Sequence, residues 1–263
     1  MFALDPRIPP GGATAARRCF AVGVCTALIT LLLPLAAPAP VSADGPHTVL
    51  RAYGPGGPHE VLKECAALYH KLYGETVMVF RGGPGTLRQK VALDGDLFYG
   101  GAEYMLEDFD RANPGLLDMR TVERLHPRRL GIVVRKGNPR GIRGLEDLRR
   151  TGIRVLQASF ENVSGYRGGT AAGASRDSEE HTGTEALKAW RSHPEIDAWI
   201  TYRSWHAVLA GEADFIEIAG DGALRFTPIA LTTRTSHRQA AARFVAFLKS
   251  PEAERIFRQH GWD

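Results

Sequence analysis

Three glycine-rich stretches hold most of the chemistry this sequence offers. Gly54-Pro55-Gly56-Gly57-Pro58 precedes His59, and Gly100-Gly101-Ala102 precedes Glu103. Ser164-Gly165 and Gly168-Gly169-Thr170 form the third. The first two fall between an apolar β-rich run and an amphipathic run, where a strand ends and a helix starts. The first N–H groups of a helix have no intrahelical partner and carry partial positive charge. Glycine lets a ligand approach such backbone closely. Loops of this kind meeting at one edge bind an anion through N–H donors, without any charged side chain. The plainer alternative is that these residues only make tight turns, the default use of Gly and Pro.

Single residues beside these loops carry paired readings. His59 opens a helix, where it either faces solvent or offers its imidazole to a ligand. Glu103 also opens a helix, where the dipole favours a carboxylate, or it orients the loop. Tyr202 stands with Trp199 and Trp205 at a strand end, either packed or lining a cleft with its hydroxyl. Cys65 lies on an apolar helical stripe and reads as an inert buried thiol.

Other chemistries lack their residues. There is no Walker-type Gly-Lys-Ser/Thr and no dinucleotide fingerprint. There is no His-Glu-x-x-His and no Cys-x-x-Cys, so no metal site and no cofactor are expected. No Gly-x-Ser-x-Gly elbow occurs, and no constellation points to an enzyme.

The elements that must position these loops alternate along the chain. Residues 48–53, 76–80 and 96–99 read as strands. Each is followed by a helix: Val61 to Leu72 with Gly74 as its stop, Thr86 to Leu93, and Glu103 to Arg111. Three such units predict an α/β lobe with a mainly parallel sheet. Strands are expected at 129–135, 153–157, 197–201, 215–218 and 226–231. Helices are expected at 144–149, at 184–191 with Thr184 as N-cap, at 205–210 and at 238–249. Ser250 caps a last helix with Pro251 in its first position. Residues 159–183 read as a long loop.

The chain has 263 residues, 44% hydrophobic and 24% charged, with a net charge of +4. This is a folded composition. The cations are dispersed, so no nucleic-acid partner is expected. Arg17 and Arg18 precede an apolar run from Cys19 to Leu33, then small residues up to Ala43. That layout predicts a secretory signal, residues 1–43, cut after Ala43. An uncleaved anchor is the alternative, but the run is short for a span. Cleavage leaves Cys65 as the one cysteine and 30 basic against 28 acidic residues.

From Tyr53-Gly-Pro-Gly-Gly-Pro-His59 onward the chain resembles the accessory colonization factor group of periplasmic solute-binding proteins. The likeness runs through Phe98-Tyr-Gly-Gly-Ala-Glu-Tyr-Met105, Val134-Arg-Lys-Gly-Asn-Pro139, Ile196-Asp-Ala-Trp-Ile-Thr201 and Phe247-Leu-Lys-Ser-Pro-Glu-Ala253 to His260-Gly-Trp262. This group is similar to the sulfate and molybdate receptors of ABC importers. The resemblance implies an α/β, two-lobed type II periplasmic binding protein fold with a ligand cleft between the lobes. Lobe 1 would be 44–128 with 226–263, and lobe 2 would be 129–225. It implies a periplasmic monomer that carries a sulfate- or molybdate-like oxyanion, or a small carboxylate, to an ABC permease in the inner membrane.

The resemblance implies Gly54, Pro55, Gly56, Gly57, Pro58, Gly101, Ala102, Glu103, Ser164, Gly165 and Thr170 as ligand-binding residues, and His59 and Tyr202 are candidates from their places beside the loops. Gly101 and Ala102 stand where the resemblance leads one to expect small hydroxyl residues. The stretch from Gly165 to Pro194 is shorter than in the resembled group, as in a trimmed second lobe. These departures motivate the alternative of an exported colonization or interaction protein that keeps the fold without transport.

Overall fold

The spacing of Val61, Leu62, Cys65, Ala66 and Tyr69 puts one apolar stripe on the first helix, and all five are buried. The computed structural model describes residues 48–157 and 182–263. The stripe of α1 (His59–Tyr73) covers β1 (Val49–Gly54) and β2 (Thr76–Arg81). Gly74 ends the helix at φ 73°, a left-handed conformation that glycine adopts without a Cβ clash. Next come α2 (Pro84–Asp94), β3 (Leu97–Tyr99) and α3 (Glu103–Ala112). β2, β1 and β3 lie side by side and parallel. All three therefore end, and their helices begin, at the same edge.

A 13-residue strand, β4 (Glu123–Arg135), then crosses the molecule. It starts six residues before the expected 129–135, because its first part pairs antiparallel with β8 (Leu224–Leu231). The register shifts between Arg124 and Pro127, where proline has no N–H to give the ladder. The far part of β4 pairs with β6 (Ala198–Tyr202) and β7 (Ala213–Glu217). β5 (Val155–Gln157) runs parallel to β6. Among the described residues the sheet order is β2-β1-β3-β8-β4-β6-β5, with β7 on β4. The mainly parallel expectation holds for β1 to β3, while every pairing made by β4 and β8 is antiparallel.

The remaining helices are α4 (Gly183–Ser192), α5 (Arg203–Val208), α6 (Arg238–Leu248) and α7 (Pro251–Gln259). The 144–149 segment is a short 3-10 helix, Leu145–Arg149. The cap of α4 is Thr182, not the expected Thr184. Thr182 accepts from the Glu185 N–H while the Glu185 carboxylate accepts from the Thr182 N–H, and that reciprocal pair needs a residue three positions before a glutamate. Ser250 caps α7 as expected.

Among the described residues, the buried apolar side chains form three clusters. One joins α1, α6 and α7 through Leu62, Tyr69, Phe244 and Phe257. One fills the opposite face of β1 and β3 with Phe98, Leu106 and Phe109. The third packs Ile132, Trp190, Trp199 and Trp205 around β4 and β6. Among the described residues no helix is long and apolar enough to cross a membrane.

Candidate functional site

The parallel strands deliver three loop-to-helix turns to one edge of the sheet. Neither Pro58 before α1 nor Ala102 before α3 caps its helix with a side chain. Proline and alanine carry no oxygen to do so. The loops are held by close backbone packing. A Cβ on Gly54 would lie 2.3 Å from the Tyr99 carbonyl oxygen, so the end of β1 reaches β3 only because residue 54 has no side chain. The Gly82 N–H donates to the Gly54 carbonyl at 3.1 Å and ties the second turn to the first.

At this edge stands Arg128 of β4, 1% exposed. Its Nη1 donates to the Gly101 carbonyl at 2.7 Å, and its Nη2 donates to Ser204 Oγ at 2.8 Å. The guanidinium carbon lies 4.1 Å from the Tyr202 ring centre and 4.9 Å from that of Trp262, within cation–π range of each. A Cβ on Gly57 would sit 3.3 Å from Nη2, and one on Gly101 3.2 Å from Nη1. A Cβ on Gly56 would sit 2.6 Å from Thr184 Oγ1, in the first turn of α4. The 54–58 loop, the 100–102 turn and the first turn of α5 thus meet at one guanidinium, with the first turn of α4 against the same loop.

Burying a cation costs several kcal/mol, and hydrogen bonds and nearby negative charge offset that cost. Arginine keeps its charge at any ordinary pH and presents a planar fork of five donors. Such a fork matches the oxygens of a carboxylate, sulfate or phosphate in geometry and charge.

The predicted residues fall into groups. Gly56, Gly57, Gly101 and Tyr202 come together around Arg128 and Thr184. Pro58 and Ala102 are the N-caps of α1 and α3. Gly54 serves strand packing against Tyr99. Pro55 lines a separate groove of about 780 Å³ with Leu87, Phe98, Met105 and Phe109. His59 turns its Nδ1 to the Glu60 carboxylate at 2.8 Å. Glu103 accepts from Arg124 at 3.0 Å, and its other carboxylate oxygen is buried without a hydrogen-bond partner. Ser164, Gly165 and Thr170 lie outside the described residues. Cys65 is fully buried, and that burial pushes its thiol up to about 12. Among the described residues no group of three or more His, Cys, Asp or Glu is placed to hold a metal.

Sequence reasoning missed Arg128, Thr184 and Ser204 as parts of one site. Arg124, Arg128 and Arg129 form an ordinary run of cations in the sequence. Its one usable signal was the apolar run after Arg129, which marks a strand entering a buried region.

The fold matches solved structures along most of its length. A crystal structure of L-phospholactate-bound PEB3, a protein also solved from Campylobacter jejuni, is 25% identical, with a TM-score of 0.67 over 81% of this chain and 98% of that one. The sulfate-binding protein SubI from Mycobacterium tuberculosis is 20% identical, with a TM-score of 0.64 over 82% and 86%. The periplasmic molybdate-binding protein of Azotobacter vinelandii is 14% identical, with a TM-score of 0.62 over 81% and 98%. The architecture is the type II periplasmic binding fold that these share. No curated protein sequence matches the chain. The family described as bacterial extracellular solute-binding protein matches residues 50–263, and the chain belongs to that family.

Proposed function

We propose that this protein is a periplasmic solute-binding protein that holds a small anion against Arg128 and delivers it to an ABC permease. The observation that carries the reading is a buried guanidinium at the meeting point of the glycine loops and the first turn of α5. Magnitudes favour the arginine over the loops as the main attraction. An anion about 4 Å away gains roughly 4 kcal/mol at an effective dielectric near 20, against about 0.3–1 kcal/mol from one helix N-terminus. The loops then supply shape and directed N–H donors.

The solved relative with L-phospholactate supports the anion reading, since that molecule carries a phosphoryl and a carboxylate group. Sulfate, molybdate and small carboxylates present the same oxygens. Within the family we place the chain with the accessory colonization factor group. Residues 1–43 act as the export signal, and the mature chain acts as a monomer. The ligand lies between residues 44–128 with 226–263 and residues 129–225. The hinge runs through Arg128–Leu130 and Ala223–Phe226, supported by the pairing of Arg128 with Arg225 and Arg129 with Leu224 on adjacent strands.

Thermal unfolding against sulfate, molybdate, phosphate, citrate and L-phospholactate tests this. A ligand at about 100 times its Kd adds roughly 2.7 kcal/mol, a clear rise in midpoint. At least one compound of the panel should give it. A folded protein indifferent to all five overturns the anion reading and leaves an exported interaction protein as its replacement.

A further inference from the structure

The closing residues Gly261-Trp262-Asp263 are the part of the sequence pattern that the loop-based reading leaves unused. They pack against Arg128 and its neighbours. The Trp262 ring stands 4.9 Å from the guanidinium carbon. Its Nε1 donates to Thr227 Oγ1 on β8 at 2.9 Å, with both groups buried, and this fixes the plane of the ring. The Asp263 N–H donates to the Pro127 carbonyl at 3.0 Å, one residue before Arg128. The Asp263 carboxylate accepts from Arg129 at 2.8 Å and from Arg203 at 3.0 Å. Arg203 in turn pairs with Glu217 of β7. Gly261 has φ +84°, and a Cβ there would lie 3.0 Å from the Arg203 carbonyl oxygen and 3.0 Å from Ser204 Cα.

These contacts reach both neighbours of Arg128 along β4. They also reach the helix start that supplies its acceptor Ser204, and its second aromatic ring. We propose that Trp262 and Asp263 are positioning residues for Arg128. They set the guanidinium and the start of α5 in one geometry, so the last turn of the chain governs anion affinity without touching the anion. The proposal rests on the anion reading for its affinity readout, and on the contacts alone for its structural readout.

The affinity test is a double-mutant cycle on the full chain, titrated with L-phospholactate and with sulfate. Trp262→Leu should weaken binding by about tenfold, the size of coupling expected between residues in contact. In an Arg128→Lys background the same change should cost less than about twofold, since the group it positions is gone. Trp262→Phe keeps a ring and should recover most of the affinity. Equal losses in both backgrounds would assign Trp262 to general stability and overturn the proposal.

The structural test needs no ligand. Hydrogen exchange of Asp263→Asn should rise at residues 128–130 and 203–205 and stay unchanged in β1 and β2. Unchanged exchange at those positions overturns the proposal even if anions bind. If the wild-type chain binds neither probe, the anion reading fails, and the exchange pattern still decides whether Trp262 and Asp263 hold Arg128.

Discussion

The Nη1 of Arg128 donates to the carbonyl oxygen of Gly101 at 2.7 Å, joining β4 to the turn that opens α3. A side chain from the strand that crosses the molecule thereby fixes a loop from its first half. The other side of the same guanidinium fixes Ser204 at the start of α5. One buried residue therefore sets the relative place of a loop and a helix start, and its removal should be felt in both stability and binding.

Arg128→Leu should abolish anion-dependent stabilisation. It also leaves the Gly101 carbonyl and the Ser204 hydroxyl without this donor, at about 1–3 kcal/mol each. Arg128→Lys keeps a charge but loses the planar fork, so affinity should fall while much of the stability returns. Calorimetric titration and urea unfolding separate the two effects. Wild-type affinity in the leucine variant would remove Arg128 from the site.

Two glycines of the first loop should behave differently. Gly57→Val brings carbon toward the guanidinium, where an added Cβ would lie 3.3 Å from Nη2, so binding should be lost with little change in unfolding midpoint. Gly54→Ala meets the Tyr99 backbone at 2.3 Å and should destabilise by about 1–3 kcal/mol, the usual cost of overpacking. For a chain of this size that is roughly 2–4 °C per kcal/mol, readable by calorimetry. Reversed outcomes would exchange the roles assigned to the two positions.

The reciprocal cap of α4 is a local stability element beside the loop. Thr182→Ala should cost about 0.5–2 kcal/mol, and Thr182→Ser should cost little, since serine keeps the oxygen that accepts from Glu185. Circular dichroism during urea unfolding of both variants checks this. An alanine variant as stable as wild type would mean that the cap is replaced by water.

Asp118 links the segment before β4 to α6, accepting from Arg120 at 2.9 Å and from Arg238 at 2.6 Å. These two arginines hold its carboxyl well below the usual carboxylate range. The folded chain therefore binds this proton less readily than the unfolded chain. The contribution is complete above a pH of about 4 and is lost as pH falls further. Asp118→Asn should lower the urea midpoint at pH 7 and make the decline toward pH 3 less steep than in wild type. Parallel acid limbs would show that the carboxylate is not linked to folding.

The order of strand, loop and helix was legible in the sequence because its signals are local. The stripe from Val61 to Tyr69, the stop at Gly74 and the Ser250-Pro251 start each depend on residues a few positions apart. The first two glycine loops were legible for the same reason, since a strand end followed by a helix start is a short pattern. The cap of α4 moved by two residues because Thr182 and Thr184 both carry an oxygen, and only the reach of Glu185 distinguishes them. The centre of the site was not legible. Arg128 lies 27 residues from Gly101 and 76 from Ser204, and their meeting depends on β4 pairing with β8 at one end and β6 at the other. Sequence alone determined which strand ends lead into helix starts. Tertiary pairing decided which charge stands there, because a buried cation is placed by strand register and packing rather than by its neighbours in the chain.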